Sequence, residues 1–255
     1  MLLTFELFIR DEGGKVALVD RIEEEIFSIE GKKVLDIGCG KAGLIISCAL
    51  RGGDAIGIDI DSSELRIAKL RAKDLGEVNL QLIRCSAGFL PFRSNLFDLV
   101  TATSVLEHVD DPERVVKDMV RVLKPRGYIF LTGPNPSFPR EAHYKIFYIP
   151  YLPKKFGKIY LQLRGFNPSF FLQEVTYPYP SPSYIERLLS LAGMVVENLT
   201  EREIREKFKN PETIQSKRLR RLLQFIAKLR LNSIAVKVVC HFDIYSNFSI
   251  LARKS

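Results

Sequence analysis

The run Asp36-Ile37-Gly38-Cys39-Gly40-Lys41-Ala42-Gly43 stands between two apolar stretches, Val34 to Ile37 and Leu44 to Leu50. Glycines at such a place let the backbone turn tightly and approach a ligand closely. A helix starting beyond them would offer free N–H groups and a partial positive charge, suited to a carboxylate or phosphate. Read literally, Gly38-x-Gly40-x-x-Gly43 is a dinucleotide fingerprint. Asp59 lies 19 residues beyond Gly40, where an acidic group can accept bonds from both ribose hydroxyls. The pair points to a nucleoside-containing cofactor. Asp36 narrows the kind: a carboxylate two residues before the first glycine is unusual in nicotinamide folds and suits a cofactor carrying positive charge, such as an ammonium beside a sulfonium. The alternative for each aspartate is a solvated turn carboxylate.

The elements that must position these groups alternate. Ile22 to Ile29 has helical spacing and Gly31 breaks it. Val34 to Ile37 reads as a buried strand, Leu44 to Leu50 as a helix and Ala55 to Ile58 as a second strand. Ser62 or Ser63 caps a helix running to about Leu75. Leu80 to Ile83, Phe97 to Val100 and Tyr128 to Thr132 read as three more strands, with a helix from Pro112 to about Leu123 before the last. Strands separated by helices of this length imply right-handed βαβ units and a parallel sheet.

The pattern breaks at Gly133. Residues 134–184 hold 9 of the 13 prolines and 13 of the 26 Phe and Tyr residues, too many prolines for long regular elements and too many aromatics for disorder. This is a lid or substrate lobe inserted after strand five. A helix at Ser183 to Leu191 and a strand at Met194 to Leu199 resume the α/β pattern. A charged linker, a basic amphipathic helix from Lys217 to Leu231 and a last strand at Phe248 to Ala252 complete it. The domains are therefore 1–133, the cofactor-binding core; 134–182, the inserted lobe; and 183–255, the completion of the sheet with the basic helix.

At 255 residues, with 46% hydrophobic and 27% charged side chains, the chain can bury a sizeable core. No apolar run approaches the length of a membrane span, and Met1 to Arg10 lacks the features of a secretory signal. Cys39, Cys48, Cys85 and Cys240 show no metal spacing and read as reduced thiols of a cytoplasmic protein. The formal charge of +8 is uneven: residues 1–133 carry −3 and residues 201–255 carry +8. An anionic partner is therefore sought in the back half.

The ordered motifs resemble those of the class I S-adenosylmethionine-dependent methyltransferases, in the broad type 11 branch that includes quinone-biosynthesis enzymes. They are Val34-Leu35-Asp36-Ile37-Gly38-Cys39-Gly40, Gly57-Ile58-Asp59-Ile60, Leu90-Pro91-Phe92 with Phe97-Asp98-Leu99-Val100, Val105-Leu106-Glu107-His108-Val109, and Leu123-Lys124-Pro125-Arg126-Gly127. The resemblance implies a Rossmann-like seven-stranded, mostly parallel sheet with helices on both faces and a reversed last strand. It implies S-adenosylmethionine as cofactor: Gly38, Cys39 and Gly40 around its methionine part, Asp36 near its amino group, Asp59 on the ribose, Ile60 against adenine, and Thr103 close by. Ser86 and Ala87 occupy the place where the family usually has an acid facing the adenine amino group. A hydroxyl accepts more weakly than a carboxylate, so weaker cofactor binding is expected.

Methyl transfer from a sulfonium needs a positioned nucleophile and, for some acceptors, a base. His108, after the fourth strand, and His143, in the aromatic lobe, are the candidates; the alternatives are a helix-entry histidine and a surface-loop histidine. His241 is structural. No third ligand accompanies Glu107 and His108, so no metal is expected. The aromatic lobe suits an apolar or planar acceptor: a quinone-like ring, an isoprenoid conjugate or a lipid-linked sugar. The basic helix 217–231 suits peripheral contact with an anionic membrane. An RNA methyltransferase and a non-catalytic cofactor-binding protein of the same fold are the competing readings.

Overall fold

A computed structural model describes residues 2–76, 78–136, 138, 154–165, 180–214, 216–241 and 247–255. Its centre is a seven-stranded sheet in the order β3-β2-β1-β4-β5-β7-β6. The strands are β1 (Lys33–Ile37), β2 (Asp54–Asp59), β3 (Gln81–Arg84), β4 (Phe97–Thr103), β5 (Leu123–Pro134), β6 (Met194–Asn198) and β7 (Asn247–Lys254). β1 to β5 pair in parallel, and β7 runs antiparallel to both β5 and β6. This is the Rossmann-like, mostly parallel architecture that the sequence implied.

The near-continuous apolar runs of β1, β2 and β4 arise because both sheet faces are covered. On one face Val34, Leu99 and Phe130 pack against Val19 and Ile22 of α1 (Leu2–Glu25), Leu44 to Ile46 of α2 (Gly43–Leu50) and Ala68 of α3 (Ser62–Asp74). On the other, Leu35, Ile37, Val100 and Ile129 pack against Val115 and Met119 of α4 (Pro112–Val122) and Ile185 and Leu189 of α6 (Pro182–Leu191). α4 starts where Asp111 caps the Arg114 N–H and Pro112 opens the first turn, the favoured chemistry of a helix start.

Several boundaries differ from the sequence expectation. The helix expected over Ile22 to Ile29 is instead the C-terminal part of α1, which begins at Leu2 and ends at Glu25; Ile29 is buried beyond it. The cap of α3 is Asp61 rather than Ser62 or Ser63, and its carboxylate accepts from the Ser63 N–H at 2.7 Å. The charged linker is α7 (Leu199–Lys209), capped by Asn198. The basic helix expected over Lys217 to Leu231 is α8 (Lys217–Lys228), ended by Arg230 in the left-handed region at φ 56°, and a further helix the sequence reading did not expect, α9 (Asn232–His241), follows. Within the aromatic segment 134–182, Lys154–Leu163 forms α5.

Candidate active site

The strand register sets the site. Asp36 of β1 lies opposite Gly57 of β2 and Thr101 of β4, so the last residues of three strands converge at one carboxyl edge. In open parallel sheets this edge is where ligands bind. Past Ile37 the chain turns through Gly38 at φ 65° and Gly40 at φ 49°, and Ala42, also left-handed at φ 62°, leads into α2. A side chain at Gly38 would place its Cβ 2.5 Å from Val105 Cγ2, so only glycine fits here. No side chain caps the first turn of α2, which leaves its backbone donors to whatever approaches the loop.

Asp36 is 2% exposed and accepts a 2.7 Å bond from the Thr101 hydroxyl. Burial raises its pKa to about 6, against the opposing pull of the Lys15 ammonium and the Thr101 bond. Lys15, from α1, donates a 2.6 Å bond to Thr103 Oγ1. The chain thus brings its own ammonium to the end of β4, within electrostatic reach of the Asp36 carboxyl. The buried carboxyl and this ammonium are the charges that meet at the ends of β1 and β4.

Asp59 is bonded within the protein through both of its oxygens. Its Oδ2 accepts from the Gly40 N–H at 2.8 Å and its Oδ1 from the Asp61 N–H at 2.9 Å. The carboxylate braces the glycine loop against the end of β2, and each oxygen keeps lone-pair capacity for a hydroxyl donor. Ile60, next to it, is 67% exposed, an apolar side chain at the edge of the cleft. Ser86 is exposed and Ala87 half-buried in the turn after β3, tied to β2 by the Cys85 N–H on the Asp59 carbonyl at 3.0 Å. The Cys39 thiol packs at the position a Gly57 Cβ would take, and burial pushes its pKa up. Its N–H donates to the Ile58 carbonyl at 2.9 Å and its carbonyl accepts from the Ala42 N–H at 2.8 Å, so Cys39 braces the loop against β2.

The structure brings Asp36, Gly38, Cys39, Gly40, Asp59 and Thr103 to one edge. His108 ends a single helical turn after β4 (Leu106–His108), where it is exposed beside the buried Glu107. His143 lies outside the described residues. Lys15 and Thr101 were missed by sequence reasoning. Thr101 had a faint signal, since strand register alone pairs it with Asp36. Lys15 had none, lying 88 residues from the threonine it touches.

The residues present fit a nucleoside cofactor bearing a cationic amino acid: a buried carboxyl for the cation, uncapped helix donors for a carboxylate, an acid and an exposed isoleucine at the end of β2. Comparison with known proteins agrees. Residues 35–131 match a family described as a methyltransferase domain. A demethylmenaquinone methyltransferase of Staphylococcus saprophyticus is 33% identical over 177 residues, covering 68% of this chain and 74% of that protein. A ubiquinone biosynthesis O-methyltransferase of Chromobacterium violaceum is 40% identical over 111 residues, 42% of this chain and 47% of its own length. Phosphoethanolamine N-methyltransferase 2 of Haemonchus contortus, solved with S-adenosyl-L-methionine, shares the fold at a TM-score of 0.58 and 22% identity over 95% of this chain and 52% of that one. With this fold, this loop and these relatives, the chain belongs to the class I S-adenosylmethionine-dependent methyltransferases, in the branch that holds the quinone-biosynthesis enzymes.

Proposed function

We propose that this methyltransferase acts on a small, quinone-like or otherwise lipid-linked acceptor. The observation that carries the reading is the similarity to the demethylmenaquinone enzyme, which extends over 74% of that relative's length. The aromatic segment 134–182 supports it by composition, since it follows β5 at the carboxyl edge and its rings offer planar contact area.

S-adenosylmethionine supplies a methyl group already activated by its sulfonium. The work of the chain is to hold, orient and exclude water. Asp36 gives the amino group a buried counter-charge, Asp59 holds the ribose while bracing the loop, and Gly38 to Gly40 give close backbone approach. Ile60 covers one adenine face, and Ser86 with Ala87 borders the other end of the base. His108, exposed at the same edge, is the group placed to take a proton from a hydroxyl or ring position of the acceptor as the methyl arrives; His143 is the second candidate. Removing a positioned base costs about 10²–10⁴ in rate.

The test is transfer of labelled methyl to a short-chain naphthoquinol, a benzoquinol and bulk tRNA in parallel. Transfer to a quinol, with kcat lowered in His108→Gln while cofactor affinity is unchanged, supports the reading. Transfer to tRNA alone overturns it. Among the described residues no helix is long and apolar enough to cross a membrane.

A further inference from the structure

Strand direction fixes where the segment after β6 leaves the sheet and where it rejoins it. β5 ends at Pro134 on the carboxyl edge, and Pro134 pairs with Asn247, the first residue of β7. β6 runs in the same sense as β5 and ends at Asn198. The segment from 199 to 246 therefore leaves the sheet and returns to it at the carboxyl edge, between two strands that pair directly with each other. Within it α7, α8 and α9 close around a small core of their own: Phe208, Ile214, Leu223, Val236 and Cys240.

That core is incomplete. An apolar groove of about 440 Å³ opens between α7, α8 and α9, with Leu222 and Val238 among its lining. Leu222, Phe225 and Leu229 of the α8 stretch and Ile234 and Val238 of α9 are all exposed, Phe225 and Ile234 at 58%. Their spacing puts each set on one helix face. Around them stand six exposed cations, Lys217, Arg218, Arg221, Lys228, Arg230 and Lys237, and residues 213–242 contain no Asp or Glu.

We infer that the α8–α9 hairpin docks on an anionic bilayer, with its apolar stripe at the boundary of head groups and acyl chains and its cations on the lipid phosphates. Charge selects this occupant. A second copy of the same face would oppose six cations with six cations, and a nucleic-acid backbone would leave the apolar stripe without use. A bilayer uses both, since apolar burial and attraction to anionic lipid act together at such a surface. Docking there brings the carboxyl edge to the membrane, where a tail-bearing acceptor would be presented. The inference extends the lipid-linked reading, but its test needs no acceptor.

The chain has no tryptophan, so Phe225→Trp makes a sole reporter. With vesicles rich in phosphatidylglycerol, the emission is expected to move to the blue and the protein to sediment with the vesicles. A control, Leu70→Trp on α3 by the opposite end of the sheet, is expected to show no shift. The variant K217Q/R218Q/R221Q/K228Q, altered only at exposed positions, is expected to lose about a thousandfold in partitioning while cofactor affinity by calorimetry holds. Four results would overturn the inference: no shift with anionic vesicles, equal binding to pure phosphatidylcholine, a shift produced by RNA but not by vesicles, or one that grows with protein concentration alone. Vesicle binding without quinol methylation leaves the lobe assignment standing and removes the acceptor reading; the converse removes only the lobe assignment.

Discussion

Asp36 is the residue where folding and function pull apart. Its carboxyl is buried and its pKa is raised to about 6 from 3.8, so the folded state holds the proton more tightly than the unfolded chain. Stability contributed by this group is therefore present at low pH and lost as pH rises from roughly 4 to 7, by about 3 kcal/mol at most. Asp36→Asn is expected to raise Tm at pH 7.5 and to leave it little changed at pH 4, read by calorimetry. The same change removes the charge a cationic cofactor needs, and affinity should fall about ten- to a hundredfold. In the wild type, affinity should strengthen as pH rises through 6; a flat profile would show that Asp36 does not meet the cation. Ser86 is the complementary case. The cofactor-side acid common in the family is absent there, and Ser86→Asp is expected to tighten binding about threefold to tenfold through a charge-assisted bond. No change or a loss would mean that another group already satisfies the adenine amino group.

Elements were legible where one period dominated. β1, β2 and β4 were visible because burial on both faces makes them continuous apolar runs, and α4 because Asp111-Pro112 announces its start. α1 was hidden by Gly13 and Gly14 within its length, which break the pattern without breaking the helix once Val19 and Ile22 are packed on the sheet. α7 was hidden by its charges: of its eleven residues only Leu199, Ile204 and Phe208 are apolar. Those three pack into the cores on either side, and the ion pairs Arg202 to Glu25 and Arg21 to Glu203 tie the helix across to α1. Among the described residues the lobe formed with α8 and α9 has five buried apolar residues, while the cluster under α4 and α6 runs through six strands. Its local stability should be correspondingly low. Native-state hydrogen exchange is expected to show amides of 217–241 opening well before those of β1, β4 and β5. Leu223→Ala should speed lobe exchange about tenfold or more while leaving the main unfolding transition and cofactor affinity in place. Loss of cofactor binding in that variant would instead make the lobe part of the sheet's cooperative unit.

At the scale of the whole molecule, the charge asymmetry visible in composition becomes a direction in space. Residues 1–133 carry −3, and 201–255 carry +8; the register of β5, β6 and β7 makes the segment that holds the basic helices leave and rejoin the sheet at the edge where Asp36 and the glycine loop lie. Composition could not show this, because it contains no register: the direct pairing of β6 with β7, across 48 intervening residues, sets both ends of the segment that holds 217–241 at the carboxyl edge. The consequence is an ionic-strength dependence that depends on how the acceptor is presented. Attraction between exposed cations and an anionic surface decays over a Debye length of about 10 Å at 0.1 M salt and about 3 Å at 1 M. Methyl transfer to a long-tailed quinol in phosphatidylglycerol vesicles should therefore lose most of its kcat/KM between those salt concentrations. Transfer to a short-tailed quinol in water should hardly change, because the lobe has no part in meeting it. In neutral vesicles the salt effect should disappear. If salt slowed both acceptors equally, the sensitivity would lie in the cleft itself, at Lys15 and Asp36, and the basic lobe would have no share in delivering substrate.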